Sequence, residues 1–293
     1  MEAILNSVSD PRDLIDRPDS STPYRFNRIF HSEGFGAKRL EKKRLKLMKE
    51  IDPQIQRLLV DGERVQVVSW GIDFSIVDYC FMGAWSFVVN QRALLFTDRR
   101  ILIIQINSRR KMLDLKAQLR YEAIEKLGRQ WGVVAVMLHN KKKLTITGVP
   151  RKDRKAIRTL IEGKIQASRT ATPLMAGVEN LCPRCGHRVR VFPERCKQCT
   201  QSFKSGSRAG WLSLIFPGLG GIYLGHRWLG VAELFTALLI WGAFVIPLGA
   251  DVISKDGSWI ELAGVAGLIF LFVHGANCWI TRRVGYKGIY PAN

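Results

Sequence analysis

The sequence predicts a multidomain membrane protein of mixed α+β class. Its expected parts are a small bent antiparallel sheet or partial barrel with a C-terminal helix, a four-cysteine metal knuckle, and a helical transmembrane hairpin. Three observations carry this. Residues 62–149 alternate short runs of Val, Ile, Leu and aromatics with polar turn clusters, and an amphipathic run follows. Four of the six cysteines fall within eighteen residues. Near the C-terminus, residues 228–247 and 260–280 each carry a single charge.

The net charge of +20 is unevenly spread. Lys and Arg outnumber Asp and Glu by 20 to 10 over residues 61–168 and by 8 to 2 over 169–210, but only by 5 to 4 beyond residue 210. The basic excess therefore suits an anionic partner, either an acidic lipid surface or a nucleic acid. Clustered cysteines with metal spacing fit a reducing compartment. The opening MEAILNSVSDPRD has neither a basic start nor an apolar core region, so no cleaved signal peptide is expected.

Residues 1–36 carry Pro11, Pro18 and Pro23 without hydrophobic period, which predicts a disordered lead. Residues 37–60 form a basic helical segment with Leu40, Leu47, Met48 and Ile51 at helical spacing. Asp52 and Pro53 read as the N-cap and first turn of a second short helix reaching Leu59. The basic residues there form either a solvated face or a face for lipid headgroups.

Residues 61–168 hold the strands. The clearest hairpin joins ALLFT to ILIIQI through Asp98, Arg99 and Arg100, and a second joins VVAVMLH to KLTITGV across Asn140, Lys141, Lys142 and Lys143. After Pro150, Ile157, Leu160 and Ile161 share one face of a closing helix. The order DGERV, LLFTDRRILII, YEAIEKL, hairpin and helix resembles the bacterial pleckstrin-homology-like domains, themselves similar to GRAM domains. The run 74–89 is longer and more apolar than that pattern, and at sixteen residues interrupted by Asp78 it reads as strand plus loop. The resemblance implies binding to phospholipid headgroups or a protein segment, without catalytic machinery. Arg99, Arg100, Arg109, Arg110, Lys111, Lys141, Lys142 and Lys143 are the candidate contacts, because guanidinium and ammonium groups satisfy phosphate oxygens; the alternative is charge that only keeps turns soluble.

A linker at 169–180 leads to residues 181–203, where Cys182 and Cys185 precede Cys196 and Cys199. Two CxxC knuckles direct four thiolates at one point, a closed shell for structural Zn2+ with no open position for a substrate water. The pattern resembles small bacterial zinc ribbons; a redox dithiol pair and an iron centre are the other readings. His187 is expected to be an exposed neighbour.

The membrane domain is expected over 208–293. Trp228, Trp259 and Trp279 mark the ends of the spans, and Arg227, Arg282, Arg283 and Lys287 flank the hairpin, whereas Asp251, Lys255 and Asp256 lie in its loop. The positive-inside rule then puts the N-terminal domains and the C-terminus in the cytosol, at a bacterial inner membrane crossed more than once. Residues 211–224, broken by Pro217 and three glycines, suit a re-entrant or interfacial element better than a full span. FPGLGGIYLGHRWLG is similar to the signature of small bacterial two-transmembrane-helix domain proteins, over residues 208–248. His274 and Asn277 are expected to bond across helices or line a polar path, Glu233 to reach water, and Ala263 and Gly267 to allow close helix contact.

No nucleophile with a base, paired carboxylates, phosphate loop or open metal site is visible, and His31, His139 and His226 stand alone, so no enzyme is expected. The expected function is a membrane-anchored binding or scaffold protein that contacts anionic lipids or a protein partner. A nucleic-acid-associated membrane protein using the ribbon arginines, and a small channel or transporter subunit, are the alternatives.

Overall fold

The computed structural model describes residues 5, 8, 10–15, 22–30, 34–83, 85–128, 132–168, 174–189, 194–254 and 258–292. Its contacts divide the chain into two units. The first holds Met1–Tyr79, Gly83–Arg190 and Lys197–Cys199, and the second Cys80–Met82, Val191–Cys196 and Thr200–Asn293.

The first unit is built on β1 (Val65–Asp73), β2 (Gln91–Thr97), β3 (Arg100–Ile106), β4 (Met112–Arg120), β5 (Ile124–Gly128), β6 (Val134–Leu138), β7 (Lys143–Thr147), β8 (Glu179–Leu181) and β9 (Arg188–Val189). They pair antiparallel in the order β5-β6-β7-β1-β2-β3-β4-β8-β9 and curl into a half-barrel. Both hairpins expected from the sequence are present, with Phe96 opposite Ile101 and Val136 opposite Leu144. Strands β2 and β3 are apolar nearly throughout because both their faces are covered. Ala93, Leu95, Leu102 and Ile104 join one core with Leu47, Met48, Ile51 and Ile55 of α1 (Ala37–Leu58). Leu94, Phe96, Ile101 and Ile103 join a second with Ile157 and Ile161 of α2 (Arg151–Ala167). The closing helix thus lies where the periodicity placed it.

Helix α1 is continuous, with Pro53 inside it, and does not restart at Asp52. The Asp52 carboxylate is buried and accepts from the Tyr24 hydroxyl at 2.7 Å and from Gln56 Nε2 at 2.8 Å, so it serves tertiary structure and caps no helix. Tyr24 belongs to a segment expected to be disordered. Tyr24, Phe26, Ile29 and Phe30 are instead core residues, a 3-10 turn covers Pro11–Leu14, and Arg25 N–H donates to Val65 O at 3.0 Å. Their aromatic burial offsets the entropy lost in ordering this segment. The remainder of 1–36 lies outside the described residues.

One buried ion pair links the two layers. Arg44 of α1 donates through Nη2 to Asp153 Oδ1 at 2.5 Å and through Nη1 to Ile29 O, while Ser69 of β1 donates to Asp153 Oδ2 at 2.6 Å. Both charged side chains are fully buried. The basic helix is therefore only partly a solvated face: Lys38, Arg39, Lys42 and Lys46 are exposed, but Arg44 is a core residue.

The run 74–89 forms two short helices, α3 (Ile76–Met82) and α4 (Trp85–Val89), where strand plus loop was expected. Ser75 caps the first by accepting from Asp78 N–H, and Phe74, Tyr79 and Phe87 pack ring on ring. The supposed linker is also structured where described: Leu174 N–H donates to Glu122 O at 3.1 Å, and β8 extends the sheet beside β4.

The second unit contains α5 (Gly206–Ile215), α6 (Leu219–Leu224), α7 (Arg227–Ile253), α8 (Trp259–Ile269) and α9 (Ala276–Lys287), with a π-helical turn at Phe270–Gly275. Helix α7 and the uninterrupted stretch Trp259–Lys287 are long and apolar enough to cross a membrane. Only 17% and 6% of their most apolar windows are buried, which separates them from core helices of a soluble protein. Helices α5 and α6, at ten and six residues, are each too short to span. They break at Phe216–Pro217–Gly218, where Gly218 has φ 92° and an added Cβ would lie 2.0 Å from Gly230 O. That contact lets α6 lie directly on α7.

The polar residues of this unit bond between helices. Trp241 Nε1–H donates to His274 Nε2 at 3.0 Å, so the other ring nitrogen carries the hydrogen directed at Leu214 O, 2.8 Å away. Asn277 Oδ1 accepts from Gly218 N–H and Thr281 Oγ1, and Ser213 Oγ donates to Thr281. Glu233 is half-buried, and its Oε2 has no hydrogen-bond partner among the described residues. Nor is Gly267 a close contact, since a Cβ there would meet open space.

Candidate metal centre and basic surfaces

The four cysteines expected as ligands come together. The sulfurs of Cys182, Cys185, Cys196 and Cys199 all lie within 4.8 Å of one another, and those of Cys182 and Cys199 are 3.6 Å apart. A tetrahedral shell with bonds of about 2.3 Å sets sulfurs at about 3.8 Å, so the group fits a metal ion. Each knuckle is a tight turn: Gly186 N–H donates to Cys182 O at 2.9 Å, and Thr200 N–H to Cys196 O at 3.0 Å. Gly186 needs its φ of 71°, and a Cβ there would press to 2.5 Å from Leu58. Burial raises the Cys182 thiol pKa, while the backbone N–H groups of Cys185 and Arg184 oppose this by donating to its sulfur. The second effect favours the thiolate, the form that binds metal.

The sheet carries the first knuckle. Leu181 pairs with Lys116 of β4, whose Nζ donates to Pro183 O at 2.6 Å and also to Gln54 Oε1. His187 is exposed and contributes its backbone carbonyl to Cys182 N–H, outside the thiol group. Of the ribbon arginines, Arg188 ion-pairs with Glu179 at 2.8 Å, and Arg190 lies outside the described residues.

The basic candidates fall at opposite ends of the sheet. Arg99 and Arg100 stand at the β2–β3 turn. Arg100 is not a surface contact: its side chain is 15% exposed and its guanidinium holds Glu63 at 2.8 Å and 3.0 Å, Leu58 O at 2.6 Å, and Gln118. Burial pushes the Glu63 carboxyl upward, but hydrogen bonds from Arg100, Val60 N–H and Thr97 hold it below its usual value. A depressed carboxylate stabilises the fold above its unfolded pKa and loses that contribution as pH falls through the folded pKa. Chemical denaturation midpoints should therefore drop on acidification, and Glu63→Gln should flatten that drop; an unchanged pH profile in the variant would refute the assignment.

At the other end, Ile72 pairs with both Gln91 and Thr147, and Arg92 with Gln105. The β1–β2 connection with α3 and α4, the β3–β4 turn and the β6–β7 turn therefore share one end of the half-barrel. Arg109 and Lys111 are exposed on a turn held by Asn107 Oδ1, and the Arg110 guanidinium lies 4.3 Å from the Trp70 ring centre. Lys141, Lys142 and Lys143 are exposed, with Lys141 3.3 Å from Glu125. Beside them the inserted helices expose Ile76 (70%), Val77, Tyr79 and Val88. The excess apolar length of this run is legible in the sequence, but its place beside the basic turns follows only from the strand pairing.

The class defined by these features is an α+β half-barrel with a four-thiol group capable of holding a metal, joined in one chain to two span-length apolar helices. No protein-family model and no curated protein matches the chain.

Proposed function

We propose that the chain is a membrane-anchored binding and scaffold protein, without enzymatic activity, at the inner leaflet of a bacterial membrane. Helices α7 and α8–α9 form the anchor, both hairpin ends facing the cytosol by the placement of Arg227, Arg282, Arg283 and Lys287; of the loop charges, Lys255 and Asp256 lie outside the described residues. The four thiolates hold a structural Zn2+ that locks the two knuckles. The half-barrel, in line with its resemblance to pleckstrin-homology-like domains, docks on anionic headgroups.

The observation that carries the docking is the single end of the sheet that combines an exposed apolar insertion with two basic turns. Each Lys or Arg near an anionic leaflet contributes about 1 kcal/mol, falling off within a Debye length. Ile76, Val77 and Val88 would add burial among lipid chains. Arg99 stands at the far end and is left out of this contact.

The test is hydrogen exchange on the full chain in nanodiscs of phosphatidylglycerol and of phosphatidylcholine. Residues 74–89 and 107–111 should be protected more in the anionic discs, with the difference lost at high salt and in a Lys141→Gln, Lys142→Gln, Lys143→Gln variant. Equal exchange in the two lipids would reject headgroup docking and leave a protein partner as the ligand of this end.

A further inference from the structure

A second feature lies entirely within the helical unit. Trp279, Arg282, Arg283, Tyr286 and Lys287 recur at i, i+3, i+4, i+7 and i+8 of α9, so they form one stripe along the helix. The opposite face is packed: Thr281 and Gly285 are buried, and a Cβ on Gly285 would lie 2.6 Å from Gly206 Cα. The stripe lines a groove of about 470 Å3. Arg283 lies 5.6 Å from the Trp279 ring and Arg282 5.5 Å from the Tyr286 ring. The Tyr286 hydroxyl is fixed by Ser207 Oγ at 2.6 Å and by Arg282 Nε at 3.2 Å.

The geometry points to a binding site for an anionic phospholipid on this stripe, the headgroup phosphate held by Arg282, Arg283 and Lys287 and the lipid body lying against Trp279. Three arguments favour a lipid. The cations end a 29-residue apolar stretch whose Leu268, Leu271 and Phe272 are exposed, which puts them at headgroup depth if that stretch crosses a bilayer. Trp279 is 44% exposed beside them, an indole in the position that interfaces favour. Two adjacent guanidinium groups match phosphate oxygens better than ammonium groups do.

The inference rests on membrane residence and is independent of half-barrel docking. The full chain, purified in detergent, is offered equal phosphatidylglycerol and phosphatidylcholine and weighed by native mass spectrometry. The wild-type chain should retain phosphatidylglycerol preferentially. An Arg282→Gln, Arg283→Gln variant should lose it by about tenfold or more, as expected when hydrogen bonds to a charged group are removed. Should that variant fail to fold, Lys287→Gln is the second probe and should weaken retention in the same direction.

Equal retention of both lipids by the wild-type chain overturns the inference, as does undiminished retention by folded variants. So does a chain that carries inorganic phosphate or an acidic peptide but no phosphatidylglycerol. A chain released from cells without detergent defeats membrane residence itself, a different result from an unselective chain in detergent.

Discussion

Replacing Asp153 with alanine is expected to destabilise the half-barrel by about 3–5 kcal/mol, the usual cost of leaving one partner of a buried ion pair uncompensated. Arg44 would remain fully buried with its main anionic partner gone, and Ser69 would lose its acceptor. The same reasoning makes the double replacement Arg44→Met, Asp153→Leu much milder, since it removes both charges and restores apolar contact. Chemical denaturation of the detergent-solubilised full chain, followed through a probe in the first unit, measures both. A single variant with the wild-type midpoint would show that Arg44 finds water or another acceptor, and would remove the ion pair from the account of the fold.

Cys196→Ser is expected to have the second large effect, and a local one. One ligand fewer opens the shell, so the chain should lose the one metal equivalent expected of four thiolates, and the hairpins at residues 179–189 and 194–203 should become sensitive to protease. Structural zinc in isolated knuckles contributes about 10–16 kcal/mol at neutral pH, so little order should survive in those hairpins without it. The half-barrel has two cores of its own and should stay folded. Chelation of the wild-type chain should reproduce the cleavage pattern, whereas His187→Ala should leave metal content unchanged. A chain that carries no metal by elemental analysis, or cleavage indifferent to chelator, would end the zinc assignment and return the dithiol reading.

What the sequence made legible follows from how local each signal is. The β2–β3 and β6–β7 hairpins were visible because apolar runs abut polar turns, and the cysteine group because CxxC spacing constrains geometry by itself. Helix α2 announced itself through Ile157, Leu160 and Ile161. The errors concern long-range partners. Nothing near Asp52 in the sequence signals that Tyr24 would take its carboxylate, so Asp52 and Pro53 imitated a helix start. Arg100 sits in a turn-like context, and the approach of Glu63, 37 residues earlier, together with Leu58 O and Gln118 removes it from the surface. Phe26, Ile29 and Phe30 do stand at i, i+3 and i+4, but over a single turn among prolines that spacing is too short to signal burial. Likewise the short β8 carries no strand signature of its own; it forms because β4 offers a backbone to pair with.

That pairing of β8 with β4 also bears on solubility. Strand β4 would otherwise end the half-barrel with a row of unpaired backbone N–H and C=O groups, the kind of edge on which a second chain adds. Here a hairpin tied by cysteine covers it, with Lys116, Ala117 and Gln118 paired to Leu181, Asn180 and Glu179. If the thiol group holds the proposed metal, it would therefore also guard against self-association: cells starved of that metal should accumulate this chain as aggregates nucleated at β4, even though both cores of its half-barrel remain intact.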